Sequence, residues 1–227
     1  MQHLYDIPVP QRTSTYSPVA HRSIIEEVRE QLDRHNFNVH SFRVNSSRSG
    51  HQLIGFFDMR NNSDNEIGFR LVFKNSYDKS MSVGFAAGNV VWICSNGMMA
   101  GEVAYIRRHT GNVATELKQR IEQSINQLAQ HYERVAQQSL RMKEIEVSKT
   151  DAAELCGRMF MEHDIIKATQ LSIIKKEFES PSFEYGHPNT LWELYNFGTH
   201  SLKTSHPMNY MRQHMDFHQF LSQEYEL

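Results

Sequence analysis

Residues 69–111 have the sequence FRLVFKNSYDKSMSVGFAAGNVVWICSNGMMAGEVAYIRRHTG, and this stretch decides the fold of the chain. Over residues 67–74 apolar and polar side chains alternate, which is the pattern of a half-buried β-strand. Short polar turns, such as residues 75–80, separate the strand-like runs, and loops of that length join antiparallel neighbours. The stretch therefore predicts consecutive antiparallel strands. It ends in the cluster at residues 107–110, where we expect a helix to begin.

Two earlier segments also have strand character. The predicted strands cover residues 39–45, 52–59, 67–74, 81–86 and 90–94, and residues 98–106 add one more. We expect Ala87-Gly88-Asn89 to form the turn between the fourth and the fifth strand, because glycine and asparagine favour turns. Together these segments predict an antiparallel meander of about five strands.

From Asn112 the apolar residues recur every three or four positions, which predicts a helix. The residues at this spacing are Val113, Leu117, Ile121, Ile125, Leu128, Tyr132 and Val135. They predict a single amphipathic helix of about 30 residues, which is about 45 Å long at 1.5 Å per residue. Ahead of the strands, Ser17-Pro18 predicts the start of another helix, which ends near residue 35.

The fold class that these elements predict is α+β. An antiparallel β-meander of about five strands is packed by a long helix, with an N-terminal helix and a helical C-terminal third. Helices in that last third are expected to start near residues 148, 167, 190 and 208. We divide the chain into an extended N-terminal arm at residues 1–17, an α+β core domain at 18–146 and a helical region at 147–227 that packs on the core.

The composition sets limits on compartment and partners. With 227 residues, 39% hydrophobic and 22% charged, the chain has the length and balance of a globular protein. Its formal net charge of −2 gives no overall case for nucleic-acid binding, so any basic surface must be local. The two cysteines argue against a disulfide scaffold and indicate a reducing compartment. No apolar run approaches the ~20 residues that span a bilayer, and the N-terminus lacks a signal pattern, so we expect a cytoplasmic protein without membrane contact.

Residues 39–110 carry a local basic excess, with eight Lys and Arg against five Asp and Glu. A sheet face with arginine and exposed aromatic rings is one way in which proteins hold single strands, and a helix N-terminus favours phosphate. We predict phosphate contacts from Arg43, Arg70, Lys74, Lys79, Arg107 and Arg108, and base stacking by Tyr77 or Tyr105. The alternative is a solvated sheet face without a ligand.

Cys94 is a candidate nucleophile with His109 as its base, because a catalytic thiol needs a nearby histidine and a lowered pKa. The alternative is a buried cysteine at the end of an apolar strand. The sequence contains no phosphate-binding lysine loop, dinucleotide-binding glycine pattern, paired-cysteine zinc spacing or nucleophile elbow. It therefore favours a protein without catalytic activity and indicates no cofactor.

The C-terminal third is rich in histidine and contains one aromatic helical segment. His214 and His218 are four residues apart and share a helical face, which is the spacing of a metal-binding pair. They lack the glutamate of the metalloprotease signature and an evident third ligand, so two partly exposed polar histidines are the alternative. Trp192 and Tyr195 share one side of a helix, and they either dock it on the sheet domain or form a platform for a base.

Three features of the sequence stand out beyond these patterns. They are an Asn-Ser-Tyr-Asp turn before a strand (75–78), a strand that ends in Cys-Ser-Asn-Gly (94–97), and a His-Thr step into a helix (109–110) followed much later by Trp-x-x-Tyr-Asn (192–196). In this order they resemble a family of unknown function encoded by phages, prophages and plasmids. The resemblance implies a mobile-element setting inside a host cell, and no established activity comes with it. The order of meander and long helix is also similar to phage single-strand annealing proteins of the Redβ and Erf type.

Together these features predict an oligomeric nucleic-acid-binding protein of a phage or mobile element, which anneals or protects single-stranded DNA. Annealing needs no chemistry, since a row of subunits only has to hold one strand extended with its bases free to pair. The alternative is a factor that binds a host protein, for example to blunt a defence system, and exposes an apolar patch. The acidic overall balance counts against the first interpretation.

Overall fold

The computed structural model describes residues 6–61, 64–91, 96–98 and 104–227. The strands are β1 (Val39–Ser46), β2 (Gln52–Asn61), β3 (Asp64–Ser76), β4 (Val83–Val91), β5 (Asn96–Met98) and β6 (Ala104–Arg107). The helices are α1 (His21–Arg34), α2 (Val113–Asn126), α3 (Leu128–Glu144), α4 (Lys149–Met161), α5 (Ala168–Glu179), α6 (Leu191–Leu202) and α7 (Pro207–Glu224).

The strands form one antiparallel sheet in the order β1-β2-β3-β4, and both β5 and β6 pair with the far side of β4. β6 pairs with the first half of β4 and β5 with the second half. The register sets Phe57 opposite Leu71 and Leu71 opposite Ala87, so apolar residues line up across the middle of the sheet. The predicted α+β fold class is confirmed, with an N-terminal helix and a helical C-terminal part around an antiparallel meander.

The first face of the sheet consists of the odd-numbered residues of β2, β3 and β4, and it carries the main core. Helices α1, α2 and α3 pack on it through apolar stripes that include Val28, Leu117 and Val135, all of them buried. Side chains on one face of a strand recur every second residue, so the alternation seen in β3 aims its apolar half at these helices. Gly55 leaves room for the ring of Phe73, which a Cβ at that position would overlap.

The predicted turn at residues 87–89 is wrong, because β4 is one unbroken strand whose residues are all buried. Its glycines face large side chains on β3 in the sheet register. Gly88 lies opposite Arg70, and Gly84 lies opposite Lys74. A Cβ at Gly84 would come within 3.2 Å of the Lys74 side chain. Glycine is therefore present in β4 to admit neighbouring side chains, and a turn is not required to explain it.

The single long helix predicted after the sheet is interrupted once, at Gln127, which separates α2 from α3. The apolar stripe continues across this point, since Ile125 and Leu128 are both buried in the same core cluster. The two helices then contact different partners: α2 contacts α1, and α3 contacts α6. Periodicity alone could not place the break because the buried stripe is continuous through it.

The N-terminal helix begins at His21, with Ala20 at the N-cap position, and so the predicted start at Ser17-Pro18 is wrong. The Ser17 N–H instead donates to the carbonyl oxygen of His109 at 2.8 Å. This bond ties the arm before α1 to the segment that follows β6. The helix ends at Arg34, close to the predicted position.

The C-terminal helices begin close to the predicted positions. Ser148 and Asp151 form a capping box at the start of α4, and the Thr190 side chain accepts a hydrogen bond from the Glu193 N–H at the start of α6. Trp192 and Tyr195 are buried in the main core cluster, so they dock α6. Among the helices of the described ranges, none is long and apolar enough to cross a membrane.

Candidate nucleic-acid interface

Helix α7 covers the second face of the sheet, which consists of the even-numbered residues of β2, β3 and β4. A small apolar cluster joins the two: Ile54, Phe56, Val72, Ala86, Tyr210 and Met211. This is the face on which the sequence predicts arginine and lysine contacts to nucleic acid. In the structure, the middle of the face meets a helix instead of solvent.

Arg70 lies on this second face and is only 1% exposed. Its Nε donates to Asp58 Oδ1 at 2.6 Å and its Nη2 donates to Oδ2 at 2.8 Å. Arg43, on the edge strand β1, approaches the same carboxylate with its Nη2 3.1 Å from Oδ2. Burial opposes ionisation of Asp58, but the hydrogen bond and charge of Arg70, with the charge of Arg43, hold the pKa of Asp58 below its usual value. Arg70 is thus a buried, paired cation that does not reach solvent in this arrangement.

Lys74 is also withdrawn from solvent, at 4% exposed. Its Nζ donates to the carbonyl oxygen of Met208 at 2.8 Å, near the start of α7. Burial, reinforced by the charge of Arg212, lowers the pKa of Lys74. Lys74 therefore holds α7 on the sheet and does not present a charge to a ligand.

A groove of about 220 Å³ opens beside Arg70, between the sheet and the connection from α6 to α7. Arg43 and Lys203 also line it, and both are exposed, so the groove has two exposed cations at its rim in addition to the buried Arg70. Phe56 lies between the two arginines, whose guanidinium carbons are 5.4 and 5.5 Å from the ring centroid. The excess of positive charge makes the rim of this groove attractive to anions.

A second basic region lies at one end of the sheet, which we call the turn end. The β1–β2 turn (47–51), the β3–β4 turn (77–82) and the last residue of β6 all lie there, because antiparallel strands reverse direction at each turn. The Gln52 side chain ties the two turns together, since its Nε2 donates to Asp78 Oδ2 at 2.8 Å and to Ser80 Oγ at 2.9 Å.

Three cations at the turn end are exposed: Arg48, Lys79 and Arg108. Within the part of the chain that the structure describes, none of the three has an ion-pair partner. Strands lie about 4.8 Å apart, so these residues form a row about 17 Å long from the β1–β2 turn to the end of β6. Arg107 differs from them, because its guanidinium pairs with Glu116 on α2. The turn end is therefore the part of the predicted interface whose charges face solvent.

Neither tyrosine that the sequence predicts to stack on bases has a fully exposed ring. Tyr77 is 6% exposed, and its ring stacks on His21 with centroids 3.8 Å apart. The Tyr77 hydroxyl accepts a hydrogen bond from the His21 N–H at 2.8 Å. Tyr105 is half-buried, and its hydroxyl donates to Glu116 Oε2 at 3.3 Å. Both rings are engaged in packing within the protein.

A polar cleft of about 360 Å³, which we call the arm cleft, opens beside this row of cations. Three segments line it: residues 15–16 of the N-terminal arm, residues 79–82 of the β3–β4 turn and residues 108–110 after β6. Tyr16 joins two of its walls. Its hydroxyl donates to the carbonyl oxygen of Tyr77 at 3.2 Å, and its ring meets His109 edge-on with centroids 5.7 Å apart.

His109 is the buried member of the cleft lining, at 5% exposed. The Met81 backbone approaches one ring nitrogen as a loose hydrogen-bond partner, and the other nitrogen has no partner within the described residues. Burial lowers the pKa of His109, although the nearby backbone of Met81 opposes that shift. At neutral pH the ring is therefore uncharged and retains one N–H donor and one acceptor.

The segments that carry the family resemblance meet in pairs. Tyr16 connects the 75–78 turn with residues 109–110 at the arm cleft, through the two contacts already given. In the other pair, Asn96 Nδ2 donates to the carbonyl oxygen and to Oδ1 of Asn196, at 2.9 and 3.2 Å. Both asparagines are fully buried. Cys94, the predicted nucleophile beside His109, lies outside the described residues.

The two histidines considered for metal binding are buried on α7. His214 Nδ1 lies 3.2 Å from the carbonyl oxygen of Gly97, and His218 Nδ1 lies 3.0 Å from the Tyr195 hydroxyl. Burial lowers the pKa of His214 to about 3. Across the residues that the structure describes, no three His, Cys, Asp or Glu side chains gather as a metal site would require. Both histidines hold α7 in place.

Comparison with known families shows which family the chain belongs to. A family model described as Domain of unknown function (DUF932) matches residues 9–219. The chain belongs to this family. The match confirms the resemblance to a family of unknown function. It covers the sheet, helices α1 to α6 and most of α7. No curated protein and no solved structure matches the chain.

Two cations of these regions are absent from the predicted contacts. Arg48 lies in a turn, where no periodic pattern marks a binding residue, although its place between two strands of a meander puts it at the turn end. Lys203 follows α6, and nothing in its own segment indicates that it would line a groove with Arg43. Both come close to their neighbours only through the topology of the sheet and of α7.

Proposed function

We propose that this protein binds single-stranded DNA of a phage or mobile element as an oligomer, and that the strand lies across the turn end of the sheet. The observation that carries the proposal is the row of exposed cations without ion-pair partners, Arg48, Lys79 and Arg108. Lysine and arginine contacts to phosphates supply the sequence-independent part of nucleic-acid affinity.

Two of the originally predicted contacts, Lys79 and Arg108, are kept in this proposal, and Arg43 adds a more distant contact at the groove. Arg70 and Lys74 are not used, because both are buried and bonded within the protein. Arg107 is a weaker contact than its neighbour, since Glu116 already neutralises it. The proposal therefore rests on exposed charge and not on the covered face of the sheet.

Annealing or protection fits this arrangement, because neither requires a chemical step. A strand held by its phosphates at the turn end keeps its bases free to pair, and neighbouring subunits would extend the row of cations. Ile106 on the edge strand β6 is 43% exposed, and a partly exposed apolar residue on a sheet edge suits a contact between subunits.

The test is binding of a fluorescent single strand of ~30 nucleotides, compared with the matching duplex, while light scattering follows the mass of the protein. We expect preferential binding of the single strand by an oligomer, with affinity that falls as salt rises. In a variant with Arg48, Lys79 and Arg108 all changed to Ala, the slope of log K against log salt should shrink by about 2, at about 0.7 per phosphate contact.

A matched control changes three exposed lysines on α4 and α5 to Ala: Lys149, Lys175 and Lys176. It removes the same formal charge from another part of the surface, so its salt slope should stay close to that of the wild type. Equal effects of the two triple variants would show that strand binding depends on the net charge of the protein and not on the turn end. Absence of single-strand binding at low salt would remove the proposal.

A protein-binding function is the second candidate, and one observation favours it. A mainly apolar groove of about 440 Å³ lies between α4 and α5, with Cys156, Leu171 and Phe178 among its lining residues. Gly157 opens into free space there, so Gly157→Trp would fill the groove without a clash. A host protein whose binding is lost in that variant, but kept in the triple variant of the turn end, would favour this second function.

A further inference from the structure

We infer that the arm cleft binds a phosphate monoester dianion, namely the phosphorylated end of a strand held at the turn end. The inference rests on the proposed function, because it assigns the end of the same strand to the pocket beside the row of cations. The internal phosphates of a strand are diesters with one negative charge and a substituent on each side. A terminal phosphate has one substituent and can enter a cleft that is closed on three sides by the arm, the β3–β4 turn and the segment after β6.

The charges of the cleft match a dianion. A phosphate monoester carries about −1.5 to −2 at neutral pH. Lys79 and Arg108 supply two positive charges to the lining, and within the described residues neither is neutralised by an ion pair. The nearest acidic side chain on this turn, Asp78, accepts hydrogen bonds from Ser80 and from Gln52 and is not part of the lining. Burial and the charge of Asp78 nevertheless raise the pKa of Tyr16 in the cleft lining, so Asp78 offsets part of the positive charge, and a bound dianion would meet a cleft that stays net positive.

His109 provides the second, independent observation. It is a buried polar side chain in the cleft lining, the Met81 backbone approaches only one of its ring nitrogens, and the other has no hydrogen-bond partner within the described residues. Buried polar groups are nearly always hydrogen-bonded, so this second nitrogen is left for a ligand of the cleft. A neutral imidazole can donate one N–H to a phosphate oxygen, and the hydroxyls of Thr15, Ser82 and Thr110 line the same cleft.

The test compares three strands of one sequence that carry a 5′-phosphate, a 3′-phosphate or no terminal phosphate. We expect one of the phosphorylated strands to bind about tenfold more tightly or better than the unphosphorylated strand, as charge-assisted hydrogen bonds of ordinary strength predict. Inorganic phosphate, titrated at constant ionic strength, should compete with that preference. The two phosphorylated strands show which end enters the cleft.

Two variants of the cleft and one matched control complete the design. Arg108→Gln removes an exposed charge and His109→Gln keeps a buried polar group, so the first remains informative if the second loses stability. Both should reduce the preference for a phosphorylated end to less than about twofold. Arg48→Gln, at the turn end but outside the cleft lining, should weaken all three strands alike and keep the preference.

The outcomes separate this inference from the proposed function. Equal binding of all three strands would overturn the inference and leave strand binding intact. Failure of every strand and of inorganic phosphate would overturn both. Binding of inorganic phosphate alone, lost in Arg108→Gln, would overturn both strand binding and the strand-end inference and assign the cleft to free phosphate.

Discussion

The two faces of the sheet are built from the same strands, yet they bury different chemistry. The first face packs rings and branched aliphatic side chains of β2, β3 and β4 against three helices. The second face buries Asp58, Arg70 and Lys74 under α7, together with a smaller apolar cluster. Alternation along β3 produces both faces, since each apolar residue is followed by one that points the other way.

The difference shows that burial on the two faces has different causes. The first face is buried because its apolar area is removed from water, which stabilises the fold in proportion to that area. The second face is buried although its charges must lose their hydration, so each needs a partner in the protein. The first face should therefore control stability, and the second should control how α7 is positioned.

The largest effect is expected from the first face. Phe73→Ala removes a fully buried ring that contacts Gly55 and packs beside Phe57, and we expect a loss of about 3–5 kcal/mol in the free energy of unfolding. Phe56→Ala is the matched change on the second face, where the groove admits water into the gap. Its cost should be about 1–2 kcal/mol smaller by urea denaturation. Equal costs would abolish the distinction between the faces.

The buried ion pair should give the next largest effect. Asp58→Ala leaves Arg70 charged and unpartnered under α7, which should cost about 3 kcal/mol. The double variant Asp58→Leu, Arg70→Met removes both charges and should return to within about 1 kcal/mol of the wild type.

Thermal and urea denaturation of the single and double variants give their free energies of unfolding and so test this prediction. Recovery in the double variant would show that the pair is not needed for stability on the second face. If the double variant is as unstable as the single one, the ion pair itself stabilises the fold, and the two faces are more alike than we argue. Arg43→Ala controls for loss of the second, half-exposed arginine that pairs with Asp58.

Acid should produce the smallest effect per residue, and it acts on both sides of the sheet. Burial lowers the pKa of His21 to about 4 and that of His214 to about 3. Below the unfolded pKa of about 6.5, the unfolded chain binds protons that these folded histidines do not, so stability falls as pH falls. From pH 7.5 to pH 5 we expect each histidine to cost about 2 kcal/mol.

Urea denaturation across that pH range, on His21→Gln and His214→Gln, separates the two contributions. Each variant should flatten the acid-side slope, and the effect of His214→Gln should include loosening of α7. His35→Gln, at an exposed position, controls for loss of an imidazole. A slope unchanged in both buried-site variants would assign acid sensitivity to other groups.

The first face was predictable from the sequence because its signals are local. Alternation in residues 67–74 and the helical spacing from Val113 onward are each contained in one segment; the first gave β3, and the second gave helix but not the break between α2 and α3. The two local errors arose where a residue type has two uses. Gly88 is typical of a turn but lies within β4 opposite Arg70, and Ser17 is typical of a helix cap but bonds to His109.

The candidate site was predictable only in part, because its residues come together from segments that are far apart along the chain. Lys79 and Arg108 could be named from their turns, but the exposure expected for Lys74 depends on a partner 134 residues away. A polar residue that alternates with apolar ones is normally solvated, and no local pattern shows that α7 will cover it. The arm cleft is of the same kind, since its three segments are distant in sequence.

The position of α7 in the chain has a consequence for synthesis. The last strand ends at Arg107 and α7 begins at Pro207, so a ribosome adding about 5–20 residues per second completes the sheet roughly 5–20 s before its cover emerges. During that interval the second face is bare. Exposed apolar sheet surface in a nascent chain promotes aggregation, whereas charged side chains resist it. Asp58, Arg70 and Lys74 should therefore reduce aggregation of an unfinished chain until the helix that buries them has been made.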